Sequence, residues 1–140
     1  MLRTERTNNS AVIAAIPHMV SINSAIEVDL HAQANAANIR GRVHSGFGGQ
    51  SDFVVGALHS PSGQALIALS SWHPRAGCST IVPRLDQPVT SFQHTAVITE
   101  QGTAELWGRD DITQASNLIE HAAHPDARAE LREHSPAHQV

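Results

Sequence analysis

The sequence has no lysine and no tyrosine, and Cys78 is its one cysteine. A single cysteine excludes an internal disulfide and a zinc site built on cysteines. This usage is typical of proteins from a reducing compartment. Because no activating neighbour of Cys78 is recognisable in the sequence, we expect an inert thiol.

Aromatic residues are also scarce, at 4% of 140 residues, so the core has to be built from Ala, Val, Ile and Leu. The hydrophobic fraction of 41% is sufficient for such a core in one domain. The net charge is −4, and the sequence contains no basic run. Since nucleic-acid binding depends on basic patches and stacking aromatics, we expect no nucleic-acid partner.

Long apolar runs are missing as well. A membrane-spanning helix needs about 20 apolar residues, and no stretch of this sequence approaches that length. The charged residues 1–6 are not followed by the apolar region of a secretory signal. We therefore predict a soluble, cytoplasmic protein with no membrane partner.

Capping residues, prolines and apolar spacing predict four helices. Asn8 and Asn9 precede an apolar stretch that Pro17 ends, and Asp52 precedes another, so these side chains are candidate caps. Pro125 is placed to open the last helix. The predicted helices cover residues 10–16, 53–58, 110–123 and 126–133.

Short apolar stretches predict strands between those helices. Residues 25–31 alternate apolar and polar, which is typical of a half-buried strand. Residues 65–69 are continuously apolar, which predicts a strand covered on both faces. Further candidate strands are residues 19–23, 42–45, 79–82, 89–92 and 95–99. The interleaved order predicts the α/β class, with an open mixed or mostly parallel sheet and flanking helices.

Three glycines, Gly46, Gly48 and Gly49, stand between a predicted strand and a predicted helix. Glycine admits positive φ and close approach of a ligand, and the free N–H groups of a helix start favour an anion. The segment lacks the third glycine of the dinucleotide fingerprint and the Gly-Lys pair of a P-loop. From the pattern alone, a ligand-free tight turn and an anion site are equally supported.

Four polar side chains near these elements are candidates for function. Glu100 follows the predicted strand 95–99, where a carboxylate can be functional or can be a turn acid held by N–H groups. Asp52 is a helix cap or an acid–base group. Asn8 and Asn9 cap the first helix or hydrogen-bond a substrate carboxylate or carbonyl. For each of the four, the residues alone favour the structural role.

The ten histidines follow no recognised metal-binding pattern. His121 and His124 are three residues apart and could share a helix face, but no third ligand is evident. His73, His94 and Cys78 are scattered, so we predict no metal site. The sequence also lacks a Gly-x-Ser-x-Gly elbow, so a Ser–His–Asp hydrolase is not supported.

Several segments, taken in order, resemble the C-terminal domain of the acetyl-CoA hydrolase/transferase family, which includes acetate, succinyl and 4-hydroxybutyrate CoA-transferases. The segments are residues 8–13, 19–30, 46–53, 67–69, 80–83, 97–102 and 122–126. The resemblance covers about residues 3–133, and the ordered set is far more specific than any one segment. It implies two related α/β domains with the active site between them.

The resemblance also implies covalent catalysis on a coenzyme A thioester. In this family a glutamate attacks the acyl-CoA, a glutamyl-CoA thioester forms after anhydride exchange, and a small carboxylate or water completes the reaction. Gly46, Gly48 and Gly49 match the loop that lines the oxyanion site, with the N–H of Gly48 or Gly49 as the expected contact. Asn9, with Asn8 adjacent, matches an asparagine that holds the substrate carboxylate.

The sequence departs from the family pattern at two points. Nothing in it resembles the segment His-Ser-Glu-Met-Phe-Ser-Asp-Gly that carries the family's nucleophilic glutamate. Glu100 matches a different glutamate, within Thr-Glu-Tyr-Gly, and Gln101 replaces the tyrosine there. Asp52 and Glu100 are therefore expected to be supporting residues only, and we predict no catalytic nucleophile within this chain.

We expect residues 1–134 to form this C-terminal domain and residues 135–140 to be a frayed tail. The domain alone should be inactive or very weak and should need the missing N-terminal domain or subunit. The face that meets this partner should be unusually apolar, so a homo-oligomer is also an expected outcome. The alternative is a non-catalytic module that binds CoA, a carboxylate or a partner. A truncated gene, a split enzyme or a mis-assigned start would each explain such a chain.

Overall fold

The computed structural model describes residues 1–46, 48–89 and 93–138. Phe47 of the glycine segment lies outside these ranges, and so do residues 90–92 of the predicted strand 89–92 and residues 139–140. Across the described ranges, no helix combines the length and apolar character needed to cross a membrane.

The described residues form short helices and strands in alternation. The α-helices are α1 (Thr4–Thr7), α2 (Ser10–Ala14), α3 (Gln50–His59), α4 (Asp111–Asn117) and α5 (Arg128–Glu133). A π-helix, Leu118–Ala122, continues α4, and 3-10 turns occupy Pro125–Ala127 and Pro136–His138. The strands are β1 (Val20–Asn23), β2 (Glu27–Asp29), β3 (Ala34–Asn35), β4 (Asn38–Ile39), β5 (Arg42–Val43), β6 (Gln64–Ala68), β7 (Trp72–His73), β8 (Cys78–Ser79), β9 (Ile81–Val82), β10 (Ala96–Thr99) and β11 (Gly102–Glu105).

The main sheet has four strands in the order β1-β6-β10-β11. Strands β1, β6 and β10 are parallel, and β11 returns antiparallel to β10. A second sheet of order β3-β2-β9 and two small hairpins, β4-β5 and β7-β8, lie beside it. The predicted fold class, a mixed open sheet with flanking helices, is confirmed.

The core lies against one face of the main sheet. Ala65, Ile67, Val97 and Ala104 are fully buried on that face, at alternate positions along three strands. Helical residues pack on Ile67, Val97 and Ala104, namely Ala115, Leu118, Ile119, Ala122 and Leu131, while Ala65 packs with Val54 and Ala57 of α3. A chain this poor in aromatic residues builds its core by burying small aliphatic side chains between the sheet and the helical layer.

Strand β6 corrects one expectation, because it is covered on one face only. Ala65 and Ile67 are fully buried, whereas Leu66 and Ala68 on the opposite face are half-buried. The prediction that residues 65–69 are covered on both faces was therefore wrong. An unbroken apolar run does not distinguish a strand between two layers from a strand whose second face meets something else.

Two helix–strand units, α2–β1 and α3–β6, lie side by side. Ile13 of α2 packs where a side chain of Gly56 in α3 would stand, so the absence of that side chain allows close helix contact. The Ser60 hydroxyl donates to the Ile16 carbonyl at 2.6 Å and joins the two helix ends. Each helix returns through a short loop into a parallel strand, so both helix N-termini lie toward the carboxyl edge of the sheet.

The helix starts were predicted with unequal success. Helix α3 begins at Gln50 with Gly49 as its N-cap residue, and no side chain caps it. The prediction of Asp52 as the cap was wrong, because Asp52 lies inside the first turn. Pro125 does open a helical segment, although the segment starts as a 3-10 turn.

Candidate functional site

The glycine loop leads into the N-terminus of α3 at the carboxyl edge of the main sheet. Gly48 has φ +60°, a left-handed conformation that favours glycine, and Gly49 is the residue that precedes the first turn. Because no side chain caps α3, its first main-chain N–H groups keep their hydrogen-bonding capacity. Such a helix start stabilises an anion or a developing oxyanion.

Asn9 shows the contrasting arrangement at the neighbouring helix. Its side-chain oxygen accepts hydrogen bonds from the N–H groups of Ala11 and Val12, at 3.0 and 3.3 Å. The predicted capping role of Asn9 is confirmed by these contacts. The N-terminus of α2 is therefore occupied by its own side chain, whereas that of α3 is not.

Asn8 is the side chain that the fold brings to the glycine loop. Its amide nitrogen lies where a Cβ of Gly49 would stand, and a ring carbon of Phe53 is 3.5 Å from the same point. Its carbonyl oxygen accepts a hydrogen bond from the Thr7 hydroxyl at 3.1 Å, so the NH₂ end faces the loop. A donor group thus stands directly beside the uncapped start of α3.

Gln50 is a polar residue at this helix start that sequence reasoning missed. It is the first residue of α3 and only 6% exposed. Its side-chain Nε2 is buried without a hydrogen-bond partner among the described residues. A buried amide nitrogen without a partner is costly, so its presence beside the loop is consistent with a site that a ligand completes. The sequence offered one signal, a polar residue between the glycines and the apolar helix.

Glu100 follows β10 and is held by Ser71, which follows β6. The Ser71 N–H donates to one carboxylate oxygen at 2.9 Å, and its hydroxyl donates to the other at 2.5 Å. These two hydrogen bonds lower the pKa of Glu100 to about 2. Because β6 and β10 are parallel, this ionised carboxylate lies on the same edge of the sheet as the glycine loop. Ser71 carried no sequence signal, since it lies 29 residues from its partner.

Asp52 also lies at this edge, whereas the cysteine and histidine candidates lie in other elements. Asp52 is half-buried in the first turn of α3, and Cys78 is exposed in β8. The His124 ring lies 4.8 Å from the Trp72 ring, and its Nδ1 accepts from the Asp126 N–H at 3.3 Å. In the part of the chain that the structure describes, no three His, Cys, Asp or Glu side chains form a cluster suited to a metal.

A depression of about 790 Å³ lies elsewhere, at the amino edge of the main sheet. It is bordered by His31, His94, Trp107 and Arg109, from segments that precede β10 or follow β11. The chemistry-bearing groups and this depression are thus at opposite ends of the strands.

Comparison with known proteins identifies this architecture. The family model of the acetyl-CoA hydrolase/transferase C-terminal domain matches residues 1–135. The chain is 44% identical over 131 residues to a protein of Syntrophomonas wolfei named "Probable butyrate:acetyl-CoA coenzyme A-transferase". It is 34% identical over 141 residues to an acetyl-CoA hydrolase of Candida albicans. The chain therefore belongs to the acetyl-CoA hydrolase/transferase family, as a C-terminal domain.

A solved structure gives the same result at the level of the fold. The crystal structure of 4-hydroxybutyrate CoA-transferase from Porphyromonas gingivalis superposes with a TM-score of 0.75 and 36% identity, over 92% of this chain. The matched region is 29% of that chain, 29% of the Syntrophomonas protein and 26% of the Candida protein. This chain thus spans less than a third of the length of these relatives.

Proposed function

We propose that this domain supplies the oxyanion-binding wall of a site that transfers coenzyme A between an acyl-CoA thioester and a small carboxylate or water. The names of the relatives support the substrate class, since they are CoA-transferases and an acetyl-CoA hydrolase. The geometry supports the role, because an uncapped helix start and an amide donor meet at one point. The partner substrates are an acyl-CoA and a small carboxylate.

The proposed chemistry runs through a glutamate of the family's N-terminal region, outside the residues of this chain. That carboxylate attacks the thioester carbonyl, the C–S bond breaks, and an acyl-glutamyl anhydride and CoA thiolate form. The thiolate then attacks the glutamyl carbonyl, which releases the first carboxylate and leaves glutamyl-CoA. An acceptor carboxylate repeats these steps in reverse to give the new acyl-CoA, while water would give the free acid and CoA.

Each tetrahedral intermediate of this sequence carries its negative charge on an oxygen. We assign the main-chain N–H groups at Gly48 and Gly49 to that oxygen, and the Asn8 amide to the same oxygen or to the substrate carboxylate. Gly46 lies in the segment that leads into the glycine loop. Asn9 holds α2 in place, since its side-chain oxygen is used as a cap. The carboxylates of Glu100 and Asp52 contribute to the electrostatic potential at the carboxyl edge of the main sheet, and neither of them attacks the substrate.

The observation that carries this proposal is the contact of Asn8 with Gly49. Asn8 alone is a helix-flanking residue, and the glycines alone are a turn. Their contact places a neutral donor against an uncapped helix start, which is the arrangement that oxyanion stabilisation needs.

The test is a turnover assay with acetyl-CoA and butyrate on two separately produced chains. One is this chain, and the other is the part of the Syntrophomonas relative that precedes the matched region. We expect negligible turnover by either alone and clear turnover by the mixture. In the mixture, Asn8→Ala should lower kcat by about 100-fold, as for removal of one oxyanion donor. Asn38→Ala, on the β4 hairpin, serves as the control. Turnover by this chain alone would refute the proposal.

The alternative is a non-catalytic module that binds CoA or a carboxylate. Calorimetry with CoA and with acetate distinguishes the two functions. A module of this kind would bind CoA with micromolar affinity while the mixture shows no turnover.

A further inference from the structure

Asn35 is a fully buried polar side chain at the end of β3, in the second sheet. Its exposed fraction is 0%. Asparagine is mostly an exposed residue, and a buried one needs hydrogen bonds for its amide. That amide has two N–H donors and a carbonyl oxygen with two lone pairs. The partners of the Asn35 amide therefore show which part of the fold it holds in place.

All of this hydrogen-bonding capacity is used, most of it by the turn that follows directly. The side-chain oxygen of Asn35 accepts hydrogen bonds from the N–H groups of Ala37 at 3.1 Å and Asn38 at 2.9 Å. Its Nδ2 donates to the Asn38 carbonyl at 2.7 Å and to Glu27 Oε2 at 3.3 Å. Such bonds from a side chain to the main chain just ahead form an Asx-turn. They fix the chain at Ala37 and Asn38 and join it to β2.

The same turn holds the segment that leads into the glycine loop. The Ala37 carbonyl accepts hydrogen bonds from the N–H groups of His44 at 2.7 Å and Ser45 at 3.2 Å. The chain between Ala37 and His44 is the β4–β5 hairpin, so it returns to the turn just before Gly46. Asn35 therefore determines the position of Ser45 through the main chain of Ala37.

The glycines themselves have few neighbours, among the described residues, that could replace this attachment. A Cβ added at Gly48 would have no heavy atom within 4 Å, and the nearest atom to one at Gly46 lies 4.0 Å away. Gly49 contacts Asn8, but glycine has the greatest backbone freedom of all residues. N–H groups stabilise an oxyanion only if their directions are set before the reaction. Those directions depend on how the two ends of the segment are held, by α3 on one side and by Ser45 on the other.

We propose that Asn35 is a positioning residue of the proposed active site. Its buried amide fixes the turn at Ala37, and the turn holds Ser45. The N–H groups of Gly48 and Gly49 are thereby kept directed at the position of the oxyanion. The inference rests on the proposed function, because it assigns the residue that orders the donors of that site. Loss of the Asn35 amide should lower kcat with little change in KM, since ordered donors act mainly on the transition state.

The test compares Asn35→Ala with Asn35→Ser in the full chain. Serine keeps a side-chain oxygen that accepts weakly from the N–H groups of the turn, whereas alanine keeps none. We expect the ¹⁵N order parameters of Gly48 and Gly49 to fall from about 0.85 to below about 0.6 in the alanine variant, with intermediate values for serine. In the assay that mixes this chain with the preceding part of the Syntrophomonas relative, the alanine variant should lower kcat about tenfold, less than removal of a donor itself. KM should stay within about twofold, and the serine variant should recover part of kcat.

Asn117→Ala is the matched control. The Asn117 side chain also donates to a distant main-chain carbonyl, that of Glu105 at 2.7 Å, and joins α4 to β11. Its loss should lower stability but leave turnover and the order parameters of Gly48 and Gly49 unchanged. Equal effects of the two alanine variants would mean that Asn35 acts through general stability alone, and would overturn the inference.

Hydrogen exchange in the unchanged chain tests the same link without any variant. The N–H groups of Asn38 and His44 should exchange with one opening free energy, because the turn and the segment that leads into the loop open together. Independent opening would contradict the inference, even if both Asn35 variants fail to fold.

The outcomes also separate the two proposals. No turnover by the unchanged mixture, together with lower order parameters in Asn35→Ala, would refute the function and leave the ordering of the loop by Asn35 intact. Turnover and order parameters that Asn35→Ala leaves unchanged would refute the role of Asn35 and leave the function intact.

Discussion

Asn8 and Asn9 are adjacent and chemically identical, yet the fold gives them different tasks. Asn9 uses its side-chain oxygen to cap α2, while Asn8 turns its amide nitrogen toward Gly49. The sequence predicted the cap, because capping depends on residues two and three positions ahead. It could not rank the two residues as ligands, because the contact between Asn8 and Gly49 joins positions 41 residues apart.

The crowding between Asn8 and Gly49 leads to a stability prediction. Gly49→Ala adds a Cβ on the Asn8 amide and should lower the free energy of unfolding by about 1 kcal/mol. In an Asn8→Ala background the same change should cost almost nothing, which urea unfolding of the four chains will measure. Gly46→Ala is the control, because the nearest atom to its Cβ lies 4.0 Å away. Equal costs in both backgrounds would show that the contact is not formed.

His94 provides a pH dependence with a definite sign. Burial lowers the pKa of His94 from 6.5 to about 4. Between these values the unfolded chain binds the proton and the folded chain does not, so stability should fall as the pH falls from 6.5 to 4. The full difference is about 3 kcal/mol.

Chemical unfolding at several pH values tests this assignment. His94→Gln should flatten the decline between pH 6.5 and pH 4, whereas His44→Gln, at an exposed position, should leave it unchanged. A decline of the same size in the His94 variant would assign the effect to other groups.

At the scale of elements, the pairing of α2 with α3 depends on Gly56. A Cβ at Gly56 would stand 2.6 Å from the Cβ of Ile13 and 3.2 Å from the Ser10 carbonyl oxygen. Alanine is the better helix former, by about 1 kcal/mol, yet we expect Gly56→Ala to destabilise the protein by about 1–3 kcal/mol.

Thermal and urea unfolding will show whether the helix propensity of alanine or its crowding against Ile13 dominates. Val55→Ala, at the exposed neighbouring position in α3, should be neutral or slightly stabilising and is the matched control. The double change Ile13→Ala with Gly56→Ala should cost less than the sum of the single changes. A stabilised Gly56→Ala protein would mean that the two helices are not in close contact.

The elements that the sequence predicted well are those with local signals. Helices α2 and α5 and strands β1 and β10 lie within or close to their predicted ranges, because caps, prolines and alternation act over a few residues. The hairpin partner β11 was missed, since the last predicted strand ends at residue 99 and residues 102–105 were assigned to no element. The single long helix predicted for residues 110–123 is α4 followed by a π-helix, a change with no local sequence signal.

At the scale of the whole molecule, the candidate site lies at one edge of the main sheet. The glycine loop, Asn8 and Glu100 lie at its carboxyl edge, where β1 also ends. Val20 and Ile22 of β1 are exposed apolar side chains, and whether they belong to the expected partner-facing surface stays a prediction. The relatives are more than three times as long as this chain, and no pattern within its 140 residues specifies a partner.

The most direct test of this account is the intact mass of both polypeptides after brief exposure of their mixture to acetyl-CoA. We predict a CoA thioester adduct on the N-terminal portion of the relative, formed only when this chain is present. One acetate should be released for each adduct formed, because CoA moves from the acetyl group to the glutamyl carboxyl group when glutamyl-CoA forms. An adduct on this chain, or one that forms on the partner without it, would contradict the assignment of this domain as the oxyanion wall of a shared site.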